Sequence, residues 1–313
     1  VNLKSQYEAC SYGQLRCEGA SKTTSTGVTV SNGAYTIGIS STVSGVADGT
    51  VRNAVVNEAT TVLGSLNGQF DHVMLCLPPG TAGSWIAYAY VNHWLSVYND
   101  KWCNYVSGQM HEIGHNLNLA HSGEGTLAYG DQTGMMGYSD SSDDGPEMCF
   151  NAPKNWQLGW YNDGQKVVTS GWSGNLYGIA DYGNIDSGSV VIAQIPASVN
   201  GGTDDWYVSL NRKAGINAGT EEAGNQVLVH KRASGTGYAE STLMAKLSAG
   251  GTYGGAPLPI EVSAIDISQS PGFATVLIGT LATPAPVTPA PVTPAPVTPA
   301  PVTPAPVTPA PVT

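Results

Sequence analysis

The apolar positions change period along the chain, and each change predicts a different element. Residues 1 to about 33 are polar and rich in Ser, Thr and Gly. Tyr35-Thr36-Ile37-Gly38-Ile39 alternates and predicts a strand. Val51, Val55, Ala59, Val62, Leu63 and Leu66 then recur at helical spacing, which predicts an amphipathic helix packed on a sheet. Asp71 to Leu77 is an apolar run stopped by Pro78-Pro79-Gly80, the pattern of a buried strand. Trp85–Tyr90 and Trp94–Tyr98 are further short strands. A helix carrying Met110, His111 and His115 follows, and Asn155 to Tyr161 predicts a short closing helix with an aromatic end.

From about Gln165 the texture is β-rich. Short runs at Lys166–Thr169, Val190–Ile195, Trp206–Leu210, Gln226–His230, Leu243–Leu247, Ile260–Ile265 and Ala274–Ile278 are separated by Gly, Asn and Ser clusters. That spacing predicts a β-sandwich or barrel. From Thr283 the pentapeptide Thr-Pro-Ala-Pro-Val repeats six times, and Thr313 begins another. Alternate prolines fix φ and remove backbone donors, so the repeats predict an extended polyproline II rod outside any core. The expected class is α+β. A catalytic domain with a twisted sheet and an active-site helix covers 1–164, a β-sandwich-like domain 165–281, and a disordered Pro-rich tail 282–313.

The helix around residue 111 carries the chemistry. His111-Glu112-Ile113-Gly114-His115 is H-E-x-x-H, which places His111 and His115 on one helical face as ligands for one metal ion. Glu112 sits where it can act on a metal-held water rather than ligate. His121 cannot reach the same ion from a straight helix. The chain must turn back, and Asn118 is the pivot expected to take a left-handed backbone. Three imidazoles leave an open position on zinc, the mark of a catalytic site. Downstream, Thr133-Gly134-Met135-Met136-Gly137-Tyr138 reads as a tight turn. Met136 is the candidate floor beneath the histidines, with Met135 as competitor. Tyr138 is the candidate donor to the developing oxyanion; the alternative is that it only packs. The acidic stretch Ser139 to Glu147 raises Ca2+ as a second ion, although its spacing fits no EF-hand loop and favours a solvated loop. His230, His72 and His93 read as strand histidines rather than ligands.

Composition narrows the setting. Lys and Arg number 12 against 23 Asp and Glu, which argues against nucleic acid or an anionic membrane as partner. No apolar run approaches transmembrane length, so membrane insertion is not expected. Val1 opens the chain with no signal-like segment, the pattern of a mature or truncated form. Of the five cysteines, Cys10 and Cys17 are close enough to staple an N-terminal loop. Cys103 and Cys149 could tie the helix entry to the segment after the turn, and Cys76 could be a buried free thiol.

The H-E-x-x-H, the third histidine and the methionine turn resemble the metzincin pattern, with Asn118 standing where that pattern has Gly. The run Gln109 to Leu117, the run Tyr129 to Ser139, and the flanks Asp71-His72-Val73-Met74, Trp85-Ile86-Ala87-Tyr88 and Trp156-Gln157-Leu158-Gly159-Trp160 are similar to the gametolysin family of metallopeptidases, over roughly residues 30 to 235. The resemblance implies a secreted zinc endopeptidase acting on protein or glycoprotein substrates, with proline-rich algal cell walls as the family's best-known targets. It implies His111, His115 and His121 as zinc ligands, Glu112 as general base and Met136 beneath the metal. The competing reading is a non-catalytic wall or adhesion protein with a zinc-binding domain, attached to the wall through the repeat tail.

Overall fold

The structure is a computed structural model that describes residues 1–137, 147–199, 201–235 and 237–280. Val1–Leu281 form one compact unit; the remainder of the chain, Ala282–Thr313, is a second. The repeat tail lies outside the described residues. The described chain is a mixed α+β fold, rich in sheet and with few helices.

The polar N-terminus begins with a helix, α1 (Leu3–Cys10). Asn2 and Ser5 form a reciprocal capping box: Asn2 Oδ1 accepts from Ser5 N at 2.8 Å and Ser5 Oγ from Asn2 N at 3.0 Å. The hairpin β1 (Lys22–Thr23) and β2 (Thr29–Val30) follows. The strand expected at Tyr35–Ile39 is absent. Ile37 and Ile39 do tuck partly against neighbouring cores, but no strand lies beside them to pair. α2 (Asp48–Leu63) matches the predicted stripe, with Val51, Ala59 and Leu63 buried.

β3 (Val73–Leu77), β4 (Ala87–Ala89) and β5 (Leu95–Asn99) form a sheet of order β3-β5-β4, with β3 parallel to β5 and β4 an antiparallel edge. The strand period of two splits its faces. Leu75, Leu77, Leu95 and Val97 pack with Val51 of α2, while Met74 faces the core around the next helix. That helix, α3 (Val106–Asn116), is buried at every position except Gln109. α4 (Ala152–Leu158) is capped by Asn151 and ends at Gly159 in the left-handed region.

Strands from before and after residue 164 share one sheet. β6 (Ser122–Glu124) pairs in parallel with β12 (Ser241–Leu247), at one edge of a six-stranded sheet ordered β6-β12-β11-β10-β9-β7. Its other members are β7 (Gln165–Val167), β9 (Ile192–Ile195), β10 (Asp204–Leu210) and β11 (Val227–Ala233). A second sheet, ordered β13-β14-β15-β8, contains β8 (Trp172–Tyr177), β13 (Thr252–Tyr253), β14 (Ile260–Asp266) and β15 (Phe273–Ile278). Val208, Val229 and Leu247 of the first sheet and Leu176, Val262 and Val276 of the second share one core, so the sheets pack face to face. A separate core joins Tyr7, Met110, Ile113, Met136 and Phe150 to Ile192 and Tyr207.

The cysteine pairings expected from spacing are replaced. Cys10 is bonded to Cys149 and Cys76 to Cys103, and Cys17 is the free thiol. Cys76 is on an exposed position of β3, not buried. Sequence proximity misleads here because α1 folds back across the molecule onto the segment that follows the methionine turn.

Candidate metal centre

α3 places His111 and His115 one turn apart, and its C-terminus decides where His121 goes. Leu119 N donates to Gly114 O at 2.9 Å and Asn118 N to His115 O at 2.9 Å, the paired bonds of a Schellman motif. Asn118 takes φ +70°, the left-handed backbone anticipated for it. The chain therefore reverses at once. His121 Nε2 arrives 3.1 Å from His115 Nε2, near the ~3.4 Å separating two nitrogens that each lie ~2.1 Å from one tetrahedral ion. One ligand atom from each of His111, His115 and His121 lies within 4.8 Å of the others. Among the described residues this is the one group of three or more His, Cys, Asp or Glu side chains placed to hold a metal ion.

The far ring nitrogens are anchored. His111 Nδ1 is 2.8 Å from Met135 O and His115 Nδ1 is 2.7 Å from Leu119 O. A carbonyl can only accept, so both rings carry hydrogen on Nδ1 and leave Nε2 with its lone pair exposed, the tautomer a metal needs. Burial lowers His115 to about 4 and also lowers His121, with Lys154 adding to both shifts, which keeps the imidazoles neutral. Glu112 is buried, its Oε2 has no hydrogen-bond partner among the described residues, and burial pushes its carboxyl up to about 8. These features fit a metal site: His115 and His121 are held neutral, His111 and His115 are oriented, and Glu112 lies beside them with Oε2 unpartnered among the described residues.

The methionine turn sits under α3. Ser122 N donates to Met136 O at 3.0 Å and Met135 N to Cys149 O at 3.1 Å. Met135 and Met136 are both buried, but they do different things. Met135 supplies the carbonyl that orients His111. Met136 lays its thioether against Gly114, where a Cβ would come within 2.5 Å of Sδ. Tyr138 and most of the acidic stretch, residues 138–146, lie outside the described residues. No calcium-type cluster appears among those described.

Asp131, Tyr129 and Lys154, all near the site, escaped sequence reasoning. Asp131 is wholly buried. It accepts from Ser122 Oγ at 2.6 Å, Thr133 N at 3.0 Å, Asn151 Nδ2 at 2.8 Å and His230 Nε2 at 3.0 Å. Burial alone would raise its carboxyl, but His230 and the hydroxyl donors of Ser122 and Thr133 outweigh that and hold it well below the usual range. His230 lies on β11, as a strand histidine should, yet it is tied to the turn. His72 and His93 are exposed and outside strands, contrary to expectation. The short polar turn Asp131-Gln132-Thr133 was a readable signal for Asp131. Tyr129 lies with its ring 4.3 Å from that of His121. Lys154, with no exposed surface, donates to Ala239 O at 3.1 Å.

Three converging imidazoles, two of them flanking a buried glutamate on α3, make the arrangement of a metallopeptidase. The model of the family described as "Gametolysin peptidase M11" matches residues 1–247, and the chain belongs to that metallopeptidase family. A Chlamydomonas reinhardtii protein named autolysin is 40% identical over 91 residues, which cover 27% of this chain and 14% of autolysin. The chain thus matches only a small part of that relative's length. No solved structure matches it.

Proposed function

We propose that the chain is a secreted zinc endopeptidase of the metzincin type. It hydrolyses peptide bonds of extracellular proteins, Pro-rich wall glycoproteins among them. The observation that carries this reading is the convergence of His111, His115 and His121 beside a buried Glu112 whose Oε2 has no hydrogen-bond partner among the described residues. The three histidines are assigned as zinc ligands, Glu112 as general base and Met136 as the apolar floor. When bound, zinc supplies a Lewis acid that polarises the scissile carbonyl and makes water acidic near neutral pH. Glu112 takes the proton from the attacking water and returns it to the leaving nitrogen. The carbonyls of Met135 and Leu119 hold two of the rings still while charge develops, so none of the reaction's free energy goes into reorienting them.

Residues 1–164 are read as carrying the chemistry and 165–281 as its support. The repeats from Thr283 are read as a spacer that associates with the wall. Two disulfides support an oxidising, extracellular setting. A non-catalytic adhesion protein would have no use for a buried, unpartnered glutamate beside the ligands. Casein cleavage by the zinc-loaded chain, with and without a chelator, separates the two readings. Glu112→Gln should lower kcat by about 10²- to 10⁴-fold with zinc content unchanged. Tight zinc binding without chelator-sensitive cleavage would sink the peptidase reading.

A further inference from the structure

Exposed apolar side chains are not spread evenly over the molecule. Nine large ones stand out among the described residues, and five of them, Tyr90, Val91, Leu127, Tyr129 and Tyr238, lie on three segments that meet the histidines. The turn holding Tyr90 and Val91 is fastened to the end of α3, where Asn92 N donates to His115 O at 3.0 Å and Asn116 Nδ2 to Tyr90 O at 2.9 Å. Leu127 and Tyr129 lie on the loop between β6 and the methionine turn. The Tyr129 ring is 4.3 Å from His121 and 5.9 Å from His111. Tyr238 comes from the other half of the chain, just before β12. Its ring is 6.2 Å from that of His115 and its Oη is 3.4 Å from His115 Nδ1.

Both tyrosines are close to half exposed, at 48% and 45%, yet the backbone beneath them is pinned. Gln132 Nε2 donates to Tyr129 O at 2.7 Å, and Gly130 N to Leu127 O at 3.0 Å. Beside Tyr238, buried Lys154 holds Ala239 O and Ser241 N donates to His121 O at 3.1 Å. A buried ammonium is costly to place, and this one fastens the segment that carries an exposed ring. Half-exposed rings on a pinned backbone beside the histidines are prepared to be covered by a ligand. Glu240, beside Tyr238, is exposed, and Arg52 lies over the Tyr90 ring at 5.7 Å. The exposed surface of the rim is apolar, with one charge of each sign at its edges.

We propose that Tyr129 and Tyr238, one from each half of the chain, are the specificity-determining walls of the substrate cleft. They take uncharged apolar residues next to the scissile bond in preference to charged ones. This rests on the peptidase reading above, and it gives the β-rich half a share in substrate selection beyond support.

The test is binding by the zinc-loaded Glu112→Ala protein, followed by fluorescence anisotropy of dye-labelled octapeptides with Leu-Tyr, Lys-Lys or Asp-Asp at the centre. The Leu-Tyr peptide should bind tightest, and Tyr129→Ala or Tyr238→Ala should weaken it about tenfold. Tyr238→Phe should weaken it less than Tyr238→Ala does, because the ring rather than the hydroxyl makes the wall. Zinc content and melting temperature of each variant should match the parent. Tighter binding of Lys-Lys or Asp-Asp overturns the proposal, as does Ala at either position leaving Leu-Tyr affinity unchanged. Failure of the peptidase reading would register separately, as an absence of chelator-sensitive casein cleavage by the wild type.

Discussion

Asp131 and His230 are 99 residues apart in sequence and 3.0 Å apart in space, and neither side chain reaches the surface. Ser122 of β6, Thr133 of the methionine turn, Asn151 at the cap of α4 and His230 of β11 all donate to this one carboxylate. Ser241 of β12 joins through Ser122 at 2.8 Å. The turn that carries Met135 and Met136 is thereby fastened to the six-stranded sheet. Since Met135 O orients His111, the fastening extends to the metal centre.

Asp131→Asn should cost about 3–5 kcal/mol at pH 7, because the donors then face an amide that cannot satisfy them. The folded carboxyl titrates below its unfolded value of about 3.9, so its stabilisation is complete above that pH and fades as pH falls through the folded value. Urea unfolding of chelated protein should show a wide gap between wild type and variant at neutral pH that narrows below about pH 4. A gap that stays constant with pH would contradict the ionised pairing.

Gly114→Ala places a methyl where Met136 Sδ now sits. Overpacking of this kind costs about 1–3 kcal/mol. Zinc affinity should fall as well, since the methyl would enter α3 between two of the assigned ligands. Met136→Ala in the same chain should restore part of both losses, and Met135→Ala should not. A double-mutant cycle on thermal stability and on competition with a chromophoric chelator checks this.

Asn118 holds the left-handed position that turns the chain towards His121. Asn118→Gly should leave stability within about 0.5 kcal/mol, and Asn118→Val should cost about 1–3 kcal/mol and weaken metal binding more than it weakens folding. Equal zinc affinity in the Gly and Val variants would show that the turn does not deliver His121.

Cys10→Ser or Cys149→Ser opens a bridge spanning 139 residues and should cost about 2–5 kcal/mol. Cys17→Ser should be nearly silent, because Cys17 is unpaired. Thermal melts of the two sets, with mass mapping of the remaining disulfide, distinguish them.

Much of the metal centre is local, and that part was readable. His111, Glu112 and His115 share one helix, and the turn at Asn118 uses bonds no longer than five residues. Spacing alone therefore predicted the return of His121, the left-handed Asn118 and the buried turn that follows. Helical periodicity likewise located α2, and the β-rich runs after residue 165 located strands of both sheets. Local signals failed where partners were remote. Ile37 and Ile39 alternate like a strand but have no neighbour to pair with. α1 has too few apolar positions to show a stripe and stands on its Asn2–Ser5 cap and its contacts: Tyr7 Oη reaches Met110 O at 2.9 Å and Gln6 Nε2 reaches Met148 O at 2.9 Å.

Side-chain types and spacings within a helix and its turn were thus enough to anticipate the histidine triad, because the bonds that turn the chain from His115 towards His121 close over a few residues. Which cysteines meet, what holds Asp131 and which ring faces His115 were decided only by tertiary structure. Cys10 and Cys149, Asp131 and His230, and His115 and Tyr238 are each brought together by long-range packing, α1 onto α3 and α4 onto the large sheet. That packing is driven by burial of non-directional apolar surface, which leaves no local mark on the sequence of either partner.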